Sequence, residues 1–296
     1  MKFLGTLSFL IFCYSSHATF IDADLIRKDL TPQSITQIDQ AEFDLRIQQL
    51  QETFAPLVQQ HGGRLSIKGL WSKDQIVARA TQMFGSWKIE FSGGLARRPE
   101  LTPDGMTLII CHEIGHHLGG FPFASGTPFG GYWASVEGQA DYYSTQVCAR
   151  KLWANEEAIN ATRALAVDPV AQAECDLMYQ AIAERQLCYR VNEASASVVQ
   201  TMAGLLNRPM PQFSTPDATV RSATNENHPA IQCRLDTLFH GSLCPTIFDD
   251  RLIPGKRTEG GRTSLAAERE AANSSCSAMS NFTRGLRPTC WFKARL

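Results

Sequence analysis

Residues 111–120 read CHEIGHHLGG, and within them His112, Glu113 and His116 form H-E-x-x-H. This stretch constrains the chain more than any other, because its spacing carries chemical meaning only on a helix. Residues four apart stand one above the other on a helical face, so both imidazoles can reach a single ion. Glu113, beside His112, can lean over an open coordination position and take a proton from water. The flanks agree with a helix. Thr102-Pro103-Asp104 supplies a cap, a first-turn proline and an acid at the positive dipole end, and Gly119-Gly120 ends it. His117 is turned about 100° from His116 and so points away from the ion; a histidine in the last turn suits the helix dipole.

Two histidines do not complete a catalytic zinc site, which uses three protein ligands and a water. In the extended pattern H-E-x-x-H-x-x-G-x-x-H the third histidine falls at 122, where Pro122 stands and cannot ligate. The other source is a carboxylate on a following helix. SVEGQADYYS (135–144) offers Glu137 and Asp141, four apart on one face of a helix expected from about Ala134 to Trp153. No Lys or Arg lies between Ala134 and Cys148 to pair with them. Glu137 is therefore expected as the third ligand of one Zn2+ ion. Asp141 is expected to accept a hydrogen bond from the ring nitrogen that a ligating histidine leaves free, which fixes its tautomer.

H-E-I-G-H followed 21 residues later by E-G-Q-A-D resembles the gluzincin metallopeptidases, in particular the group of CAAX prenyl endopeptidases and HtpX-like peptidases. HPAIQCR (228–234) is similar to a third element of that family, H-P followed by an arginine. The resemblance covers roughly residues 64 to 240. It implies an α+β, mainly helical fold with a zincin-like core, a small sheet above two active-site helices. It also implies that His228 and Arg234 lie near the site, His228 as a donor to the oxyanion and Arg234 holding substrate or bracing carboxylates. Taken alone, His228 is a histidine before Pro229, at a helix start. Many members carry transmembrane helices, and this chain has no later stretch approaching 18 uninterrupted apolar residues.

The implied activity is that of a zinc-dependent endopeptidase acting on a polypeptide substrate. Glu113 is its general base, and an extended peptide lies along an edge strand by β-augmentation. The rival is a silent zinc-binding assembly factor with an envelope-protein partner; a third reading is hydrolysis of a non-peptide amide. The formal net charge of -1 gives no attraction to nucleic acid.

Lys2, the apolar run Phe3–Tyr14 and Ser16-His17-Ala18 read as a cleavable export leader, which points to a periplasmic or secreted protein. Eight cysteines follow Cys13, an even set that suggests disulfides. Neighbour pairing would join 175 with 188, 233 with 244 and 276 with 290, leaving Cys111 and Cys148.

The segments read as a leader (1–18), a lead-in with an amphipathic helix from Ile38 to Gln60 (19–63), a metallopeptidase domain (64–250) and a basic, cysteine-containing tail (251–296). Within the domain, Arg64–Leu70 reads as a strand, Ser72 to about Phe84 as a helix, and Trp87–Phe91 as a strand whose continuation to Gly94 is the expected peptide-binding edge. Further helices are expected near 155–187, at 192–206 and from Pro229.

Overall fold

The computed structural model describes residues 17–27, 36–126, 132–163 and 166–295. The expected leader lies outside the described residues as far as position 16. About 49% of the chain is helical and four strands form one sheet, which is the α+β class.

The first strand, β1 (His17–Thr19), precedes helix α1 (Gln40–Gln60), which Asp39 caps by accepting from the Glu42 N–H. Phe43, Leu50, Phe54 and Val58 recur at helical spacing and are its buried face. Strands β2 (Arg64–Leu70), β3 (Ala78–Met83) and β4 (Ser86–Ser92) follow, in the sheet order β1-β3-β4-β2. β3 is antiparallel to both β1 and β4, whereas β2 runs parallel to β4.

Two expectations fail here. Residues from Ser72 to Phe84 do not form a helix: Ala78 and Ala80 face the core in alternation with Arg79 and Thr81, a period of two. Phe84 and Gly85 both have positive φ (47° and 74°) and make the tight turn that returns β3 antiparallel onto β4. Consequently β4 is an interior strand and cannot offer Trp87–Gly94 as a free edge. The edge nearest the histidine helix is that of β3, and β1 lies on it.

After the short α2 (Gly93–Ala96) comes α3 (Pro103–Leu118), capped by Thr102 as expected, its hydroxyl accepting from the Gly105 N–H. Every residue of α3 from Asp104 onward is buried, so this helix is the axis on which the other layers pack. α4 (Glu137–Tyr143) passes through a π turn (Ser144–Cys148) into α5 (Ala149–Trp153). The helical region expected near 155–187 contains α6 (Glu157–Arg163) and α7 (Pro169–Met178), where Pro169, capped by Asp168, restarts the chain. α8 (Ile182–Leu206) then runs without the expected break near 190. α9 (Ile231–Ser242) follows Pro229, and α10 (Leu265–Ala272) lies within the expected tail. That tail packs inward: the Trp291 indole is buried where a Cβ on Gly138 would stand. No helix among the described residues is long and apolar enough to cross a membrane.

Four disulfides close the structure: 111–148, 175–188, 233–290 and 244–276. Two of the three neighbour pairs expected from spacing are therefore wrong. Cys233 and Cys244 are separated by the length of α9, roughly 16 Å at 1.5 Å per residue, and a disulfide needs its Cα atoms within about 7 Å. Each instead reaches a cysteine of the tail, at Cα separations of 5.9 and 5.6 Å.

Non-reducing peptide maps should recover the 233–290 and 244–276 links and no 233–244 link. Replacing both Cys233 and Cys290 by Ala should lower urea stability by about 4 kcal/mol, from the loop-closure entropy of a 57-residue separation.

Candidate metal centre

Helices α3 and α4 touch at Gly115, the glycine inside H-E-I-G-H. A Cβ there would stand 2.8 Å from the Ala140 carbonyl oxygen and 2.9 Å from its Cα, closer than side chains tolerate. The end of α3 is tied to the start of α4 by two bonds, Ser135 N–H to the His116 carbonyl and Gln139 Nε2 to the Gly119 carbonyl, each 2.9 Å. Cys111 and Cys148, the pair left over by spacing, clamp α3 to the π turn one residue before His112.

This crossing gathers the expected ligands. His112 Nε2 lies 3.1 Å from His116 Nε2 and 3.1 Å from Glu137 Oε2, and His116 Nε2 is 3.6 Å from Glu137 Oε1. All three side chains are buried and offer donor atoms within 4.8 Å of one another. The far nitrogens are engaged: His112 Nδ1 donates to Asp141 at 2.7 Å, and His116 Nδ1 donates to the Ser135 carbonyl at 2.8 Å. With Nδ1 so engaged, each ring turns its Nε2 toward the same point, beside a carboxylate. Three electron-rich atoms this close need a positive centre between them. A tetrahedral zinc with Zn–N of about 2.0–2.1 Å would hold its nitrogens roughly 3.3 Å apart, so the donor set fits that ion.

Electrostatics point the same way. Burial disfavours the imidazolium of His112, but Asp141 outweighs it and lifts the group to about 9. Burial takes His116 down to about 4. Burial alone would raise Glu137, yet His116 and His112 hold it well below the usual carboxylate range. Glu113 is raised to about 8 by burial, and neither carboxylate oxygen has a hydrogen-bond partner among the described residues.

Asp141 is fixed from two sides, accepting from His112 and from both Nε and Nη2 of Arg234 at 2.7 Å. Burial would raise its pKa, but Arg234 pulls it below the normal value. Arg234 is itself completely buried and donates a third bond to the Phe20 carbonyl. Of its two expected roles, bracing a carboxylate matches this position; holding substrate does not. His228 is at the rim, with Nε2 3.4 Å from Glu137 Oε2 and bonded to the Thr19 carbonyl, and Nδ1 3.4 Å from Asp22. It lines a cavity of about 310 Å³ together with His116, Glu137, Trp133, Ser135 and Thr19.

His117 points away from the ligands, as its angle on the helix requires. It is sandwiched between the Trp87 and Trp133 rings, with centroids 5.1 and 5.0 Å away, and burial depresses it to about 3. It is thus a neutral aromatic plate and carries no charge for the helix dipole to favour. A second gathering, Asp217 with Cys233 and Cys290, has its sulfurs consumed by a disulfide.

Three participants gave no sequence signal. Thr19, Phe20 and Asp22 lie some ninety residues before the histidines, and no periodicity links them. The Ser135 carbonyl is a backbone group, inferable only from its place two residues before Glu137. Among known protein families, curated proteins and solved structures, none matches this chain.

Asp141→Asn should weaken zinc binding about 10- to 100-fold by competition titration, the usual cost of losing an outer partner. Arg234→Ala leaves Asp141 buried without its countercharge and should cost about 3–5 kcal/mol in denaturant unfolding.

Proposed function

We propose that the chain is a zinc-dependent endopeptidase with a zincin-like core, acting on polypeptides in an exported, oxidising compartment. The observation that carries this reading is the convergence of His112, His116 and Glu137 with Glu113 beside them, unpartnered and buried. A purely structural site has no use for a carboxylate with nothing to bond. When bound, a zinc ion would lower the pKa of a water and polarise a carbonyl oxygen.

The chain's own groups then have separable tasks. Glu113 takes the proton from the attacking water and later gives it to the departing amine. Burial raises its pKa above the usual carboxylate range, which makes the ionised form a stronger proton acceptor. Asp141 and the Ser135 carbonyl hold the two imidazoles in the tautomer that leaves Nε2 free. His228, with its Nε2 already on a carbonyl oxygen, supplies a donor to the oxygen that gains negative charge. The cavity beside Trp133 and Ser135 receives a substrate side chain. The four disulfides and the leader-like start support export, because such links persist in oxidising surroundings.

A second reading, a catalytically silent zinc-binding factor that grips an envelope protein, is favoured by one observation. Thr19 and Phe20 cover the ligand set from the sheet side.

The Glu113→Gln chain should retain one zinc per molecule by metal analysis and lose cleavage of labelled casein by at least about 100-fold. Undiminished cleavage would reject Glu113 as the base. Casein left intact by every form, with or without zinc, would favour the silent factor.

A further inference from the structure

The chain carries its own peptide across the site. β1 pairs antiparallel with the outer edge of β3, His17 opposite Thr81, Ala18 opposite Ala80 and Thr19 opposite Arg79. Phe20 N–H donates to the Ala78 carbonyl at 3.1 Å, and antiparallel alternation puts the next hydrogen-bonded pair at Ala18 and Ala80. Beyond the sheet, the Thr19 carbonyl accepts from His228 Nε2, whose neighbour at 3.4 Å is the ligand Glu137. Phe20 then dives inward. Its ring is almost wholly buried, edge-on to His112 at 5.6 Å, with the Arg234 guanidinium 4.7 Å over its face and donating to its carbonyl at 2.6 Å.

These contacts divide the segment in two. Phe20 is an anchor, held by burial and by the Arg234 bond. Among the described residues, 17–19 are paired by a three-residue edge and by the Thr19–His228 bond, and Ala18 and Thr19 line the cavity together with His116 and Glu137.

We propose that Ala18–Thr19 is an intramolecular occupant of the peptide-binding edge, its Thr19 carbonyl standing on His228 where a substrate carbonyl would stand, and that the site admits an extended polypeptide only when residues 17 and 18 leave β3. This rests on the endopeptidase reading of the same site and adds its regulation. It explains why the free edge needed for β-augmentation is filled, and it assigns the substrate strand to β3, antiparallel, in place of β4. The cut expected for the leader, after Ala18, removes the two residues that face Ala80 and Thr81 and leaves Thr19 as a chain end beside the Phe20 anchor, its carbonyl no longer held on His228 by strand pairing. Removal of the leader would then free Thr19 to leave the cleft.

The test uses the full chain carrying Glu113→Gln, so that nothing is consumed, with fluorescein-labelled casein as the probe and anisotropy as the readout. Ala18→Pro removes the N–H that the register directs at Ala80 and should tighten casein binding at least tenfold. Equal or weaker binding overturns the proposal. Should near-UV circular dichroism show that Ala18→Pro does not fold, Ala18→Gly weakens the same pairing and should tighten binding about threefold. A synthetic peptide of residues 15–23 should displace casein from either variant; a peptide that cannot compete overturns the proposal as well. The two readings fail separately. Casein that binds tighter to the variant yet is hydrolysed by no form of the chain sinks the endopeptidase while the occupant stands. Casein hydrolysed at one rate with and without Ala18→Pro keeps the endopeptidase and removes the occupant.

Discussion

Asp141 is the hinge of the arrangement. Its carboxylate is buried between Arg234 and His112, and neither partner would be stable in that position without it. Desolvating an ion pair costs several kcal/mol per ion, and replacing such pairs with apolar residues is frequently neutral or stabilising. A merely structural role is therefore a poor reason for a charged cluster here. What an apolar substitute would lose is direction. Asp141 holds the His112 ring with Nδ1 as donor, Arg234 prevents the carboxylate from turning away, and Nε2 is left facing His116 and Glu137.

Charge balance extends the argument from one residue to the whole site. Glu137 and Asp141 are held ionised, and Arg234 and the His112 ring face them as the opposing charges. Glu113, buried next to them without a hydrogen-bond partner among the described residues, is held toward its uncharged form by the same burial. Each ionisable group where the three donors meet is therefore displaced from its ordinary range.

Much of this was legible in the sequence because a helix turns spacing into proximity. His112 with His116, and Glu137 with Asp141, needed only the four-residue period and a reason for two helices to meet. Gly115 and the Cys111–Cys148 link supply that reason, and neither announces it: a glycine inside a helix reads as a weakness, and two cysteines 37 apart read as a remainder. The misread strand at 78–83 has a similar cause. Its alternation is carried by alanines, whose small side chains give little contrast between inward and outward faces, and the hairpin turn at Phe84-Gly85 lacks the usual Asn-Gly form. The 175–188 pairing held, whereas 233–244 failed because short loops favour neighbours only where the chain between them can bend, and α9 cannot.

The N-terminal segment was illegible for a deeper reason. Edge pairing is made by backbone atoms, so a strand of three residues needs no pattern in its side chains, and Phe20 is a lone aromatic until the Arg234 guanidinium and the His112 ring surround it. That asymmetry also bears on how the segment behaves. An anchor stabilised by burial persists, whereas a short strand on an open edge exchanges readily with any other extended chain that offers the same amides and carbonyls. An edge that pairs through backbone atoms is thereby open to the chain's own backbone first. The stronger the generic affinity of β3 for extended peptide, the more completely a tethered segment at high local concentration will fill it.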